Sequence, residues 1–511
     1  MCSARRLTLV TTSSPALARA PFRVAIVGGG FAGAAAALRS IEAGGGPLAI
    51  TIIEPRAKLG RGIAYSTSEP GHLMNGPARG LSLYPEAPLH FVRWLEAEAA
   101  RGGWMPPEGT GWEASQPPRR HFGSYVETRL AATAADSFGR VRLRHRRDRA
   151  VGIGRLGREF VIALAGGGTI VADAAVLASG VFQNGAGRRL AGDVAGDPCY
   201  VADPYAEGGF AGLAAAAEVV ILGSGLAMLD ALVSLERAGF RGRVRAVSRR
   251  GGLVEPRRPV EAADDFLSGA DPTLRGLVRK VQEARRRIAA EGGDWQQLVP
   301  AVRAATPGLW VRLGDADRER FVRHLQGVWK SCIHLAPIET HRLAERMRAE
   351  GRLTVEAGEV AAIERGEAAR LAVAVSGPAG DRRLEADGVV DCLGHSADWS
   401  ARSDPLVRSL LDRGLARRHA TGLGIDVDPL TLAVSPAASL SAGGSGSQRL
   451  FAIGHPLRGS VWESTSVREI ALQAKSLGET IAAISEHGAE RPPVRRGARE
   501  DGIPGRLTGT T

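Results

Sequence analysis

The chain has 511 residues, of which 44% are hydrophobic, and a formal net charge of +12. This length exceeds what one hydrophobic core usually supports, so we expect two domains. No uninterrupted run of about 18 apolar residues occurs, which argues against a membrane span. The positive charge is almost entirely arginine scattered along the chain, with no basic patch interleaved with aromatic residues, so nucleic-acid binding is not indicated.

The two ends of the chain lack the periodicity of folded segments. Residues 1–21 are broken by Thr and Ser, and we interpret them as a disordered leader rather than a secretory signal. Residues 488–511 are rich in Pro, Gly and Arg and are predicted to be a disordered tail. The four cysteines, at positions 2, 199, 332 and 392, form no C-x-x-C pair. Neither a zinc ribbon nor a dithiol centre is therefore indicated, and a cytoplasmic location fits.

A first nucleotide-binding pattern runs from Phe22 to Arg56. Val24–Val27 predicts a buried parallel strand, and a Gly-x-Gly-x-x-Gly turn, an Ala-rich helix and a second strand ending at Glu54 follow it. The turn glycines are Gly28, Gly30 and Gly33. Such a turn brings backbone and a helix N-terminus to a pyrophosphate, while an acid at the strand end accepts hydrogen bonds from ribose hydroxyls and repels a 2′-phosphate. The pattern predicts a dinucleotide site suited to FAD.

A second unit of the same design runs from Ala217 to Gly251. Gly223 and Gly225 follow a predicted strand, but Met228 occupies the third glycine position. The next strand ends not in an acid but in Ser248, Arg249 and Arg250. Arginine there can pair with a 2′-phosphate, so this unit predicts an NADPH site. Flavin and nicotinamide in one chain indicate hydride transfer from NADPH to FAD.

Three more predicted strands end in glycine, in positions that favour contact with a flavin edge or a pyrophosphate. The candidate residues are Gly180, Gly394 and Gly454, together with Trp462 and Glu463. Between about 261 and 350 the apolar spacing becomes helical, which predicts an insertion that caps the second nucleotide domain. The histidines of this region are ten and seven residues apart, which fits no common metal-binding pair on a helix face, so no metal site is predicted.

These segments together resemble the bacterial FAD/NAD(P)-binding proteins that include urate hydroxylase and aspartate N-monooxygenase, which are similar to flavin-containing monooxygenases. The motifs that carry the resemblance are VAIVGGGFAG, GRGIAYSTSEPGHLMNGPA, RRHFGSYVETRL, LASG, VILGSGLAMLD, VSRRG, DCLGH and AIGHPLRGSVWESTSVREI. The resemblance implies an α/β flavoprotein with two Rossmann-like dinucleotide-binding domains and a helical insertion. The FAD-binding domain would comprise residues 22–205 and 381–487, with the NAD(P)H-binding domain, residues 206–380, inserted between them.

The resemblance also assigns a role to the irregular segment GHLMNGPARGLSLYPEAP, residues 71–88. An irregular segment pinned by prolines can wrap around a flat isoalloxazine ring, which one face of a helix or strand cannot. By analogy Asn75 would lie beside the flavin as a catalytic hydrogen-bond donor, although Asn75-Gly76 also suits an ordinary turn.

The implied activity is that of a monooxygenase that uses FAD, NADPH and O₂. It would act through a C4a-hydroperoxyflavin on a small polar nitrogen compound, urate-like or an amino-acid amine. One alternative is an NAD(P)H-dependent flavin reductase or oxidase without oxygen insertion. Another is a non-catalytic flavin-binding protein, which Met228 in the second turn favours. The sequence indicates no oligomeric state.

Overall fold

The computed structural model describes residues 20–183, 186–396, 399, 404–437 and 449–487. The predicted tail and all but the last two residues of the predicted leader lie outside these ranges. The strands, in chain order, are β1 (Phe22–Val27), β2 (Leu48–Ile53), β3 (Val141–Arg146), β4 (Ala150–Leu156), β5 (Glu159–Leu164), β6 (Thr169–Ala172), β7 (Ala174–Leu177), β8 (Phe182–Gln183), β9 (Tyr200–Val201), β10 (Glu218–Leu222), β11 (Arg243–Ser248), β12 (Leu353–Ala357), β13 (Glu359–Arg365), β14 (Leu371–Ser376), β15 (Arg382–Ala386), β16 (Gly388–Asp391), β17 (His395–Ser396) and β18 (Leu450–Ala452).

The helices, in chain order, are α1 (Phe31–Glu42), α2 (His90–Ala99), α3 (Arg119–Ala135), α4 (Ala186–Ala191), α5 (Leu226–Arg237), α6 (Leu274–Ala290), α7 (Leu298–Arg312), α8 (Asp315–His324), α9 (Gln326–Ile333), α10 (Ile338–Ala349), α11 (Pro405–Asp412) and α12 (Val467–His487). None of the described helices is long and apolar enough to cross a membrane.

The first domain is built on a parallel sheet of five strands in the order β18-β7-β1-β2-β3. Its central strands are continuous apolar runs, as buried parallel strands require, and Ile26, Ile50 and Val176 are fully buried. Helices α1 and α12 pack closely, since a side chain at Gly478 would meet the backbone of Arg39 at 2.6 Å. The sheet therefore draws strands from both ends of the described chain, as expected for a split domain.

The second domain repeats this plan with the strand order β12-β11-β10-β16-β9. Helices α5 and α10 cover one face through a core that includes Met228, Leu232 and Ala344. The antiparallel sheet β13-β14-β15 and α4 cover the other face, where Val220 and Val373 are fully buried. The predicted architecture, an α/β fold with two Rossmann-like domains, is confirmed.

Two predicted domain boundaries differ from the structure. Strand β16 belongs to the second sheet, and β15 to the antiparallel sheet that covers it, although the prediction placed residues 381–487 in the first domain. Strand β9 also belongs to the second sheet, although the prediction assigned it to residues 22–205. The chain crosses between domains at β8 and β17, which pair with each other antiparallel. The local pattern of an apolar strand that ends in glycine is the same at 174–180 and 388–394, so sequence alone could not say which sheet each strand joins.

The helical insertion comprises α6 to α9, and a parallel bridge between Pro256 and Ala336 closes its base. Helix α10, which was included in the predicted insertion of 261–350, instead packs on the second sheet. The insertion was predicted to cap the second domain, but it also contacts the first domain. Trp310 donates to the Gly459 carbonyl at 2.7 Å, and Trp462 belongs to the apolar core of the insertion.

Candidate functional site

The first glycine turn joins β1 to α1 and can be built only with glycine at two positions. Gly28 has φ +102°, and a side chain there would lie 2.2 Å from the Ala178 carbonyl oxygen. A side chain at Gly33 would lie 1.9 Å from the Gly28 carbonyl oxygen. Gly30 is the N-cap of α1 and has an extended backbone. The turn is thus held tightly against β7 while the N-terminus of α1, with its unpaired N–H groups, faces outward.

Glu54 lies beside this turn at the end of β2, and it is 5% exposed. The Gly29 amide donates to its Oε2 at 2.9 Å, and the Arg56 amide donates to its Oε1 at 3.0 Å. Oε1 also accepts a long hydrogen bond of 3.5 Å from the Arg56 guanidinium, so the acceptor position that remains is on Oε2. The role of Glu54 toward the ribose hydroxyls of FAD stays a prediction.

Two of the other predicted glycines border the same turn. Gly180 follows β7 with φ +69°, next to Ser179, whose hydroxyl is buried and has no hydrogen-bond partner among the described residues. Gly454 follows β18 with φ +79°, and a side chain there would be 3.4 Å from the Ala32 side chain. A buried hydroxyl without a partner is costly unless a ligand completes it. The residues present therefore fit a polar dinucleotide such as FAD.

The second glycine turn has the same geometry between β10 and α5. Gly223 has φ +99°, and a side chain there would lie 2.7 Å from the Cys392 carbonyl oxygen. Gly225 is the extended N-cap of α5 and has open space around it. Met228 is fully buried in the apolar core, so it anchors α5 instead of allowing the closer approach seen at Gly33. Gly394, predicted to border the flavin, follows β16 and thus lies after a strand of the second sheet.

The end of β11 carries unneutralised positive charge. Ser248 accepts hydrogen bonds from the Ser224 hydroxyl at 2.8 Å and the Gly251 amide at 3.2 Å, while the exposed Arg249 and Arg250 form no ion pair with any described residue. Lys330, on α9 of the insertion, faces the same region. Burial, together with the charges of Arg458 and Arg249, lowers the Lys330 pKa. Cations that repel one another without a counter-ion fit a site for an anionic group such as a 2′-phosphate.

Asn75 is half-buried and is held from two sides. Arg119 donates to its Oδ1 at 3.2 Å, and Arg257 donates to its backbone carbonyl at 2.9 Å. A guanidinium carries donors only, so the Asn75 amide must turn its oxygen toward Arg119. Its Nδ2 group therefore points away and remains available to donate a hydrogen bond.

Arg119 is itself part of a buried network that joins the two domains. It forms an ion pair of 2.8 Å with Asp230 of α5, whose side chain is 4% exposed. The Tyr205 hydroxyl donates to the same carboxylate oxygen at 2.9 Å, and the Arg119 Nε donates to the Leu73 carbonyl. The nucleotide-binding helix of the second domain is thus connected through one ion pair to the side chain that orients Asn75.

Trp462 and Glu463, predicted to contact the cofactor, face the insertion. The Trp462 ring packs against Trp310 at a centroid distance of 5.0 Å, and Glu463 accepts a hydrogen bond of 2.7 Å from Trp329. Burial raises the Glu463 pKa, although the guanidinium of Arg303 opposes the shift. Neither side chain makes a hydrogen bond, ion pair or ring contact with the described Gly28 turn, so their cofactor role stays a prediction.

Sequence reasoning missed Arg119, Asp230, Arg257 and Lys330. The first two lie within motifs that carried the family resemblance, RRHFGSYVETRL and VILGSGLAMLD, yet their 111-residue separation hides their pairing (230 − 119 = 111). No group of three or more potential metal ligands occurs among the described residues.

Comparison with known proteins gives the same fold. Residues 25–182 match the family model described as FAD-NAD(P)-binding. No curated protein matches the chain significantly in sequence. Among solved structures, the ornithine N-hydroxylase of Kutzneria sp. 744 has a TM-score of 0.57 at 16% identity, over 91% of this chain and 99% of its own. The ornithine hydroxylase of Pseudomonas aeruginosa gives 0.56 at 15%, over 91% and 99%.

The cadaverine monooxygenase of desferrioxamine biosynthesis from Erwinia amylovora, solved with FAD bound, gives a TM-score of 0.56 at 13% identity, over 95% of this chain and 99% of its own. These three alignments cover 91–95% of this chain. At such identities the likeness establishes the fold and leaves the reaction to be argued from the site.

Proposed function

We propose that this chain, whose fold is that of the flavoproteins with two dinucleotide-binding domains, is an FAD-dependent, NADPH-consuming monooxygenase. The observation that carries the proposal is the fixed amide of Asn75, whose Nδ2 donor is free while Arg119 holds its oxygen. A reductase of the dithiol type would need a cysteine pair, whereas Cys199, Cys332 and Cys392 are all free. The structural relatives that hydroxylate ornithine and oxygenate cadaverine support the same class.

The residues of the first domain would hold FAD, and those of the second would hold NADPH. Glu54 and the Gly28 turn would bind the adenosine ribose and the pyrophosphate of FAD, and Arg249 and Arg250 would bind the 2′-phosphate of NADPH. With both bound, NADPH supplies two electrons through the flavin, so that one atom of O₂ enters the substrate and the other leaves as water.

The chain itself would contribute hydrogen bonding and exclusion of water. Asn75 would donate from Nδ2 to an oxygen atom at the reacting centre, and Arg119 and Arg257 would keep that donor fixed. A donor that is already oriented costs no reorganisation when charge develops on oxygen. The insertion, joined to the first domain through Trp310 and Trp329, would shield the centre from solvent.

Rapid mixing with oxygen tests the proposal. The FAD-loaded protein is reduced with NADPH without oxygen and then mixed with oxygenated buffer, while its absorbance spectrum is followed. A monooxygenase is expected to return to the oxidised spectrum in two phases, through a transient species. A single direct return, with all consumed NADPH recovered as hydrogen peroxide under every substrate condition, would favour a reductase or oxidase instead.

Replacing Asn75 by aspartate is expected to shorten the lifetime of that transient species about tenfold or more. The carboxylate keeps the shape of the side chain but cannot donate, and one hydrogen bond to a charged group contributes about 1.5–3 kcal/mol. The rate of reduction by NADPH should stay within about twofold of the parent, because Asn75 does not contact the second turn. Gln116→Ala serves as the control, since Gln116 donates to the adjacent Met74 carbonyl. An unchanged lifetime in Asn75→Asp would exclude the donor role.

Removing Arg249 and Arg250 together, as a double alanine variant, should raise the KM for NADPH about a hundredfold or more. Two charge-assisted hydrogen bonds are lost, each contributing about 1.5–3 kcal/mol. The KM for NADH, which lacks the 2′-phosphate, should change little. Arg241→Ala is the matched control, because Arg241 is an exposed arginine of the same domain paired with Glu236. Steady-state kinetics with both nucleotides give the result, and equal losses for NADPH and NADH would contradict the assignment.

A further inference from the structure

The helical insertion encloses a cavity of about 500 Å³ that the site described above does not use. Its walls come from α6, α7, α8 and α9 and from Trp462 of the first domain. Three of its aromatic lining residues, Trp310, Phe321 and Trp462, contact one another at ring-centroid distances of 4.9 to 5.6 Å. The exposed lining residues Gln282 and Arg285 mark its opening toward solvent.

The lining is almost entirely aliphatic and aromatic, so water would be a poor occupant. A water molecule in a protein interior needs about two to four polar partners, and these walls supply few. Thr306 is a polar lining residue, but its hydroxyl already donates to the Val302 carbonyl at 2.7 Å. The volume lies within the range of about 300–1,000 Å³ typical of sites for small organic ligands.

One wall of the cavity is joined to the first domain. Trp329 lines the cavity and donates to Glu463, and Arg303 forms ion pairs with Glu463 and Glu469. The insertion and the first domain together therefore fix the position of this wall.

We propose that this cavity binds an apolar organic molecule, aromatic or branched aliphatic. This inference goes beyond the proposed function. A small polar nitrogen compound, which the family resemblance implied as the substrate, does not suit this cavity, because its free amine or ammonium would find almost no partners in these walls.

Calorimetric titration of the FAD-loaded protein with prodan, a neutral naphthyl ketone, tests the site without requiring turnover. Prodan is expected to bind one molecule per chain with a negative heat-capacity change, the mark of apolar burial. Val302→Trp, which fills the cavity from α7, should weaken binding at least tenfold. Val311→Trp is the matched control: Val311 lies on the same helix but is 51% exposed and does not line the cavity.

A milder variant keeps the test informative if the filled protein does not fold. Val328→Asp places a carboxylate in the apolar lining at a residue that is 47% exposed, so the fold should tolerate it while prodan binding weakens about tenfold. Absence of prodan binding, or equal affinity in all the variants, would overturn the assignment. Competition by ornithine or cadaverine would also overturn it in favour of a polar ligand. If prodan binds as expected but the reduced enzyme shows no transient species with oxygen, the monooxygenase proposal fails and the apolar site stands.

Discussion

Replacing Gly33 by alanine is expected to yield a protein that loses most of its FAD. The added Cβ would lie 1.9 Å from the Gly28 carbonyl oxygen and 3.1 Å from the carbonyl carbon, so the contact is with backbone that cannot rotate away. The clash can be relieved only if α1 moves away from the turn, and overpacking of this kind costs about 1–3 kcal/mol. Because the helix N-terminus must sit against the pyrophosphate, FAD affinity should fall about ten- to hundredfold.

The flavin content per chain after purification, followed by titration with added FAD, measures this effect. Gly308→Ala is the matched control, since a side chain at Gly308 would have open space around it within the helix α7. That variant should retain FAD at the parent level. Full flavin content in Gly33→Ala would show that α1 is not the element that binds the pyrophosphate.

Replacing Asp230 by alanine is expected to lower the free energy of unfolding by about 3–5 kcal/mol, the usual cost of leaving one charge of a buried pair without its partner. Arg119 would keep its full charge with a side chain only 10% exposed, and the Tyr205 hydroxyl would lose its acceptor. Chemical denaturation with saturating FAD measures the change. Glu345→Ala removes an exposed ion pair of the same domain and should cost about 1 kcal/mol or less.

A double variant separates the effect of the Arg119–Asp230 pair on stability from its effect on the orientation of the Asn75 amide. Arg119→Met combined with Asp230→Leu replaces the pair by apolar side chains of similar volume, a change that is often neutral or stabilising in other proteins. Stability should return, but the Asn75 amide would have lost the group that orients it. We therefore expect the transient species formed with oxygen to be shorter-lived in this variant than in the parent protein. A long-lived transient would show that Arg119 has a structural role alone.

Sequence patterns predicted the strands and turns of both nucleotide units because those features are local. Strand β1 ends at Val27 as predicted, and β2 and β11 end within one residue of the predicted Glu54 and Ser248. The Gly28 and Gly223 turns follow β1 and β10 as expected. A glycine turn between an apolar strand and a helix is specified by its own residues. The strand β16 was assigned to the wrong domain because sheet membership depends on contacts between distant segments.

The candidate site was predicted less completely for the same reason. Asn75 was found through a family resemblance, but the orientation of its amide depends on Arg119, and the position of Arg119 depends on Asp230 in the other domain. The cavity was not foreseen, since the apolar spacing of α6 and α7 predicts helices that bury one face without showing that the buried faces leave a chamber between them. Trp462 was predicted as a cofactor contact, but its ring partners Trp310 and Phe321 lie more than a hundred residues away in sequence and could not be predicted from it.

Anaerobic titration of the FAD-loaded protein with NADPH tests the central claim, that one chain holds a flavin and a nicotinamide site that exchange electrons. The account predicts one FAD per chain, complete bleaching of the flavin by about one equivalent of NADPH, and slower bleaching by NADH. A protein that binds no FAD, or a bound flavin that stays oxidised under excess NADPH, would contradict it.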